Sequence, residues 1–167
     1  IINVDNLNFT QTDGTYGLVA SQGGTISLTG ENNLQANNIL MIASGRNSAI
    51  TGSGRETLVG HLVAQNNGAI NLNMTDGSYW SGAATTGNGG TGTINLAIEG
   101  DSSWYMTDDS TITSLGLTNG ATVYLSSSAT DSARHTLTIT GDYTGNAGKF
   151  VFYGDLNGDT DSSIDQL

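Results

Sequence analysis

The sequence carries a near-exact internal echo at an offset of 24 residues. Ile70-Asn71-Leu72 recurs as Ile94-Asn95-Leu96, Met74 returns as Ile98, Ser78 as Ser102 and Trp80 as Trp104. Five positions agree in identity and a sixth in apolar character. Self-similarity at a fixed period of roughly 20–50 residues marks repeat architectures, in which a unit buries its apolar face only against a neighbouring copy. One structural unit is therefore expected to stack on its own copy.

The period has to be matched to a secondary structure. Short stretches of alternating apolar and polar residues recur along the chain: Thr25-Ile26-Ser27-Leu28, Ala69-Ile70-Asn71-Leu72, Thr93-Ile94-Asn95-Leu96, Thr122-Val123-Tyr124-Leu125 and Thr136-Leu137-Thr138-Ile139. Alternation at strand length predicts half-buried β-strands, with Gly and Asn in the turns between them. Helical spacing is nowhere sustained; 37–42 is the single tempting piece, and Gly45 ends it. The chain reads as all-β.

A sandwich predicts hairpins without sequence self-similarity. A right-handed parallel β-helix predicts coils of roughly 20–24 residues, stacked about 4.8 Å apart. Ile26, Ile50, Ile70 and Ile94 are spaced 24, 20 and 24 residues apart, as one internal ladder requires. About seven coils account for the length, giving a rod of about 35 Å. The expected fold is a right-handed parallel β-helix, or solenoid, closed by a hairpin-like cap at its C-terminal end.

Composition agrees. Disordered chains pair low hydrophobicity with high charge, whereas here only 11% of the 167 residues are charged. Proline is absent, as a stack of central strands demands, because each proline removes a ladder N–H. Cysteine is absent too, so a secreted form would rely on its ladders and core without disulfides. Fifteen acidic residues against four basic ones give a formal charge of −11, which repels phosphate backbones and anionic lipid, so nucleic acid is excluded as a partner. No apolar run approaches the ~18 residues of a spanning helix. No leader pattern is visible and Ile1 is not a natural start, so the sequence reads as an excised fragment.

The texture changes near residue 102. Gly-Asn turns thin out, and Trp104, Tyr105, Tyr124, Tyr143, Phe150, Phe152 and Tyr153 concentrate there. Alternating stretches at 121–125, 136–140 and 148–153 are closely spaced, which suits hairpins. An open solenoid end exposes unpaired edges and apolar rungs, so an atypical terminal cap is expected. The chain accordingly divides into stem coils, 1–101, and a cap region, 102–167.

Ser103-Trp104, Ser114-Leu115-Gly116-Leu117, 120–125, 135–139, 143–152 and Asp165-Gln166-Leu167 together resemble the C-terminal passenger segment of autotransporters of the pertactin and diffuse-adherence-adhesin type. There the order is Trp, a leucine-rich strand, Gly with a strand, a Leu-Thr strand, Tyr-x-Gly with a second Gly and a strand, then Asp-x-Leu. The likeness covers about 65 residues; 1–100 resemble the family only as generic coils. It implies a secreted, virulence-associated passenger exposed on a Gram-negative outer membrane after transit through the periplasm, with a β-barrel translocator downstream. The family pattern continues past Asp-x-Leu with a strand, so the resemblance implies a last strand cut short at Leu167.

In that family this segment is the autochaperone. It leaves the barrel first, folds first, and offers a finished edge to the next coil. The resemblance implies that Trp104, Leu115, Leu117, Val123, Leu125, Leu137, Ile139, Tyr143, Phe150, Phe152 and Leu167 form this cap core, with Gly145 and Gly148 in positive-φ turns. Its implied partners are the passenger's own β-helix, the barrel and, in the adhesive and actin-recruiting members, a host surface or cytoskeletal protein.

Chemistry-bearing patterns are sparse. Asp155-Leu-Asn157-Gly-Asp159-Thr-Asp161-Ser-Ser-Ile-Asp165 alternates oxygen ligands as calcium loops do, but an EF-hand-type loop needs Gly at its sixth position and an acid at its twelfth. Those positions hold Thr160 and Gln166, so a solvated acidic turn is the simpler reading and calcium the alternative. Two histidines, His61 and His135, without cysteine leave no zinc cluster; His135 reads as an exposed strand residue. No nucleophile elbow is present, Asp108-Asp109 read as a solvated turn, and Arg46 and Arg55 as surface charges. No enzymatic activity and no cofactor are expected. The Gly-, Thr- and Asn-rich stretch 81–92 is the expected loop excursion and the best place for a binding surface.

Overall fold

The computed structural model describes residues 1–167 except 76, 88, 129 and 156–162, with residues 155 and 163 described by their backbone alone. Among the described residues there are eighteen strands and no helix. Fourteen strands join one sheet in which every strand–strand pairing is parallel, wound into a solenoid of about six turns.

Each turn contributes to three stacked ladders. In the first, Ile2, Ile26, Ile50, Ile70 and Ile94 are successive register partners. The row read from Ile26 to Ile94 is therefore real, and Ile2 extends it by one rung. The second ladder runs Phe9, Leu34, Leu58, Trp80, Trp104, Val123 and Phe150. The third stacks Leu18, Met41, Leu62 and Ala84. Alternation turns every second side chain inward, and the three inner rows merge into one apolar core from Ala20 to Leu137.

The 24-residue echo is the ladder register itself. Ile70, Asn71, Leu72 and Met74 lie against Ile94, Asn95, Leu96 and Ile98. Trp80 lies against Trp104, and the Ser78 N–H donates to Ser102 Oγ at 3.1 Å. Corners between strands use asparagine in the left-handed region, as at Asn47, Asn66 and Asn119 (φ 64°, 53° and 55°), where its short amide tolerates positive φ. The stretch 37–42 lies within the long strand Thr25–Ser44, which bulges against its neighbour between Gln35 and Met41.

The C-terminal coils depart from expectation in direction. Ser114–Thr118 pairs in parallel with Tyr143–Asn146, Thr122–Tyr124 with Lys149–Val151, and Ser110–Ile112 with Leu137–Ile139. The stretches read as hairpins are thus further solenoid rungs, and the first two ladders run unbroken past residue 102. Among the described residues, antiparallel pairing is limited to an isolated bridge between Thr118 and Ala147 and to Gly154–Asp155 with Ser163–Ile164 at the very end. Both ends expose apolar residues: Ile1, Ile2, Tyr16 and Val19 at one, and Tyr143, Phe152, Ile164 and Leu167 at the other.

Candidate functional site

The residues expected to form the cap core divide into two groups. Trp104, Leu115, Leu117, Val123, Leu125 and Leu137 are buried, and Ile139 and Phe150 pack half-buried against them. Tyr143, Phe152 and Leu167 do not belong to the core, being 47%, 42% and 60% exposed. Tyr143 and Leu167 line the open C-terminal end, with no further rung above them among the described residues. Phe152 leans on Phe150 at a centroid distance of 6.4 Å.

Gly145 and Gly148 do not occupy positive-φ turns; Ala147 takes that role with φ 59°. Gly145 lies in the extended strand Tyr143–Asn146, opposite Leu117. Gly148 is needed for close approach, since a Cβ there would stand 2.5 Å from both Cγ and the carbonyl oxygen of Leu117.

The buried centre of these coils is a tryptophan column. The Trp80 and Trp104 rings stack at 4.4 Å and 11°. Trp80 Nε1 donates to Gly60 O, and Trp104 Nε1 to Gly82 O one coil later, both at 2.9 Å. Each indole thus satisfies its polar atom on a corner glycine while its ring fills the core.

Asp165 is the residue that sequence reasoning undervalued. It is buried, and it accepts three hydrogen bonds: Ser126 Oγ and the His135 N–H on Oδ1 (2.7 and 2.9 Å), and the Tyr153 N–H on Oδ2 (2.7 Å). One carboxylate therefore ties the final segment to two preceding stretches of chain. Its place in Asp-x-Leu was the available signal. The remainder of the Asp155–Asp165 calcium pattern lies outside the described residues or on backbone alone. His135, read as exposed, is 6% exposed, because this terminal segment covers it.

Another inward-facing polar row occupies a corner of the stem. Leu7 N–H donates to Asn32 Oδ1, Asn32 Nδ2 to Glu56 Oε1, and Glu56 N–H to Ser78 Oγ. Glu56 is fully buried with Oε2 unpartnered, and burial pushes its carboxyl up to about 7 against the lowering effect of the Asn32 amide.

The surface offers hydrogen bonding more than acid–base chemistry. An outward row of Thr51, Asn71, Asn95 and Ser114 lines a shallow groove of about 490 Å³. Asn95 Nδ2 donates to Asn71 Oδ1 at 2.7 Å, and Ser114 Oγ to Asn95 Oδ1 at 2.8 Å. No carboxylate is among its lining residues. On a neighbouring face Tyr79, Tyr105 and Tyr124 form an outward column, with centroids 5.4 and 4.4 Å apart. Burial, and then the Tyr124 hydroxyl, raise the Tyr105 phenol above its usual range. Arg55 is exposed and pairs with Glu31 at 2.9 Å; Arg46 is exposed as expected.

The excursion read at 81–92 is shorter in the structure. Tyr79–Ser81 and Ala84–Thr85 are strands, and Ala83, Ala84 and Thr86 are buried. The Gly92 N–H closes onto Thr86 O at 3.1 Å, which bounds the excursion on both sides. A Cβ at Gly89 or Gly90 would meet nothing within 4 Å.

No family model matches the chain. It is 27% identical over 165 residues to a protein named "Probable autotransporter YcgV" from Escherichia coli K12, covering 95% of this chain and 17% of that protein. It is equally similar to "Putative uncharacterized protein YcgV" of E. coli O157:H7, of which it covers 29%. The chain thus spans less than a third of either relative. No solved structure matches.

Proposed function

We propose that this chain is a segment of an autotransporter passenger, secreted and exposed at the outer membrane, and that its C-terminal coils nucleate folding of the solenoid. Likeness across nearly the whole chain to a probable autotransporter supports the first part, together with a parallel solenoid that needs neither disulfide nor proline. The observation that carries the second is the Trp80–Trp104 column joined to coils stapled by Asp165. A passenger emerging C-terminus first would fold these coils earliest and present their edge to the stem.

Native-state hydrogen exchange on the full chain tests the nucleation reading. Amides of Ser103–Tyr105, Ser114–Thr118 and Thr122–Tyr124 should be the slowest to exchange. The longest uninterrupted ladder lies instead between Thr25–Ser44 and Ala49–Gln65. Greater protection there would sink nucleation while leaving the passenger reading intact.

A second reading is a surface that engages a host surface or cytoskeletal protein, through adhesion or recruitment of actin machinery. The open surroundings of Gly89 and Gly90 and the outward Tyr79–Tyr105–Tyr124 column favour it. Removing 82–90 would delete buried Ala83 and Ala84, so residues 87–90 are the cleaner deletion. Lost adhesion with undiminished surface display supports this reading, and unchanged adhesion overturns it for the loop.

A further inference from the structure

The third ladder is interrupted where the stem meets the C-terminal coils. Ala84–Thr85 belongs to the main sheet, whereas Ser110–Ile112 and Leu137–Ile139 form a separate two-stranded sheet. At the entry to these two strands, one carboxylate oxygen each from Asp108 and Asp109 and one imidazole nitrogen of His135 lie within 4.8 Å of one another.

Each group has a reason to be where it is. Asp108 Oδ1 accepts the Asp109 N–H at 2.8 Å, and Asp109 Oδ1 accepts the Thr136 N–H at 2.7 Å. Both carboxylates are thereby oriented, and each keeps its other oxygen for a further partner. His135 is 94% buried by complement of its 6% exposure, yet its Nε2 makes no hydrogen bond. Asp131 Oδ2 stands 3.9 Å from that nitrogen, beyond hydrogen-bonding range and already holding Ser127 Oγ. The ring thus offers one nitrogen to two oriented carboxylates while its buried Nε2 lacks a hydrogen bond, a costly arrangement unless a further partner joins it.

We propose that Asp108, Asp109 and His135 bind a divalent transition-metal ion of the zinc type. One imidazole nitrogen and two carboxylate oxygens suit zinc, at ligand distances of about 2.0–2.2 Å, with water completing the shell. Calcium and magnesium prefer oxygen alone, so the imidazole selects against them. Bringing the three atoms onto one ion requires side-chain closure by about an ångström or two, which exposed Asp108 and Asp109 can supply. The carboxylates also line a cavity of about 310 Å³, which provides an entry path. His61 faces that cavity, but its Nδ1 already accepts the Ala83 N–H at 3.0 Å. With ligands drawn from successive coils, the ion would clip together the two strands that stand apart from the main sheet.

The test uses the full chain, dialysed against chelator and titrated with zinc chloride. Calorimetry should give one site per chain, and Tm should rise by about 5–10 °C at zinc a hundredfold above Kd. Ring signals of His135 in the NMR spectrum should move to saturation with the same stoichiometry. Asp108→Asn with Asp109→Asn preserves both backbone acceptors, so zinc-free Tm should stay within about 2 °C of the parent, and zinc affinity should fall by 100-fold or more. Four outcomes overturn the site: no saturable binding, binding unchanged in the double variant, His135 signals indifferent to zinc, or calcium matching zinc in Tm.

Discussion

Asn32 Nδ2 donates to Glu56 Oε1 at 3.1 Å inside the solenoid, one rung apart in register. Among the described residues, that amide is the one side chain hydrogen-bonding to the Glu56 carboxyl, which is fully withdrawn from water. Glu56 is consequently held at about 7 when folded, against 4.5 as its ordinary value. The folded state therefore binds a proton more tightly than the unfolded chain, and stability should fall as pH rises from about 4.5 to about 7. Below that window Glu56 is protonated in both states and makes no difference; above it the full cost, about 3 kcal/mol, is present. Glu56→Gln should remove this slope and, at pH 8, exceed the parent by about 2–3 kcal/mol in urea unfolding. Parallel pH profiles for parent and variant would count against the assignment.

Trp104→Ala removes a fully buried ring and its partner's stack, and should cost about 3–5 kcal/mol. Phe152→Ala, at a residue 42% exposed, should cost less than about 1 kcal/mol. The ranking is read directly from thermal or urea unfolding. Under the proposed passenger role, the same ranking should appear in surface display of the parent protein. A double-mutant cycle between Trp80 and Trp104 should give a coupling of about 0.5–1.5 kcal/mol.

Asp165→Asn leaves one oxygen where three donors converge on two. The Tyr153 N–H then faces an amide that cannot accept, so its exchange should quicken at least tenfold, in line with about 1–3 kcal/mol for a stranded buried donor. Amides of Thr25–Ser44 should be unaffected. If Tyr153 keeps its protection, the carboxylate is not the staple described.

Ala147 sits at φ 59° beside Gly148. Ala147→Gly relieves a conformation costing an L-residue about 1–2 kcal/mol, offset in part by unfolded-chain entropy, for a net gain of about 0.5–1 kcal/mol. Gly148→Ala should be destabilising by more than about 1 kcal/mol, because its new methyl meets Leu117. Opposite signs at adjacent positions, measured as Tm, form the test.

The sequence alone determined the solenoid and the register of its middle coils. Stacked coils must present matching shapes at matching heights, so Ile26, Ile50, Ile70 and Ile94, and the Trp80–Trp104 pair, had to repeat at coil length. Strand direction beyond residue 102 was another matter. Alternation has the same period of two in parallel and antiparallel strands, so local pattern could not separate further rungs from hairpins. Coil length varies as well: Leu96 to Leu115 is 19 residues and Leu115 to Tyr143 is 28 by position, though all three are register partners. Burial of Glu56, His135 and Asp165 was also decided only by tertiary structure. Each has a polar residue beside it in the sequence, and each is withdrawn from water by chain more than a dozen residues away. Meetings such as Asp108 and Asp109 with His135 depend on which coils come to rest against each other, and winding the chain is what brings them together.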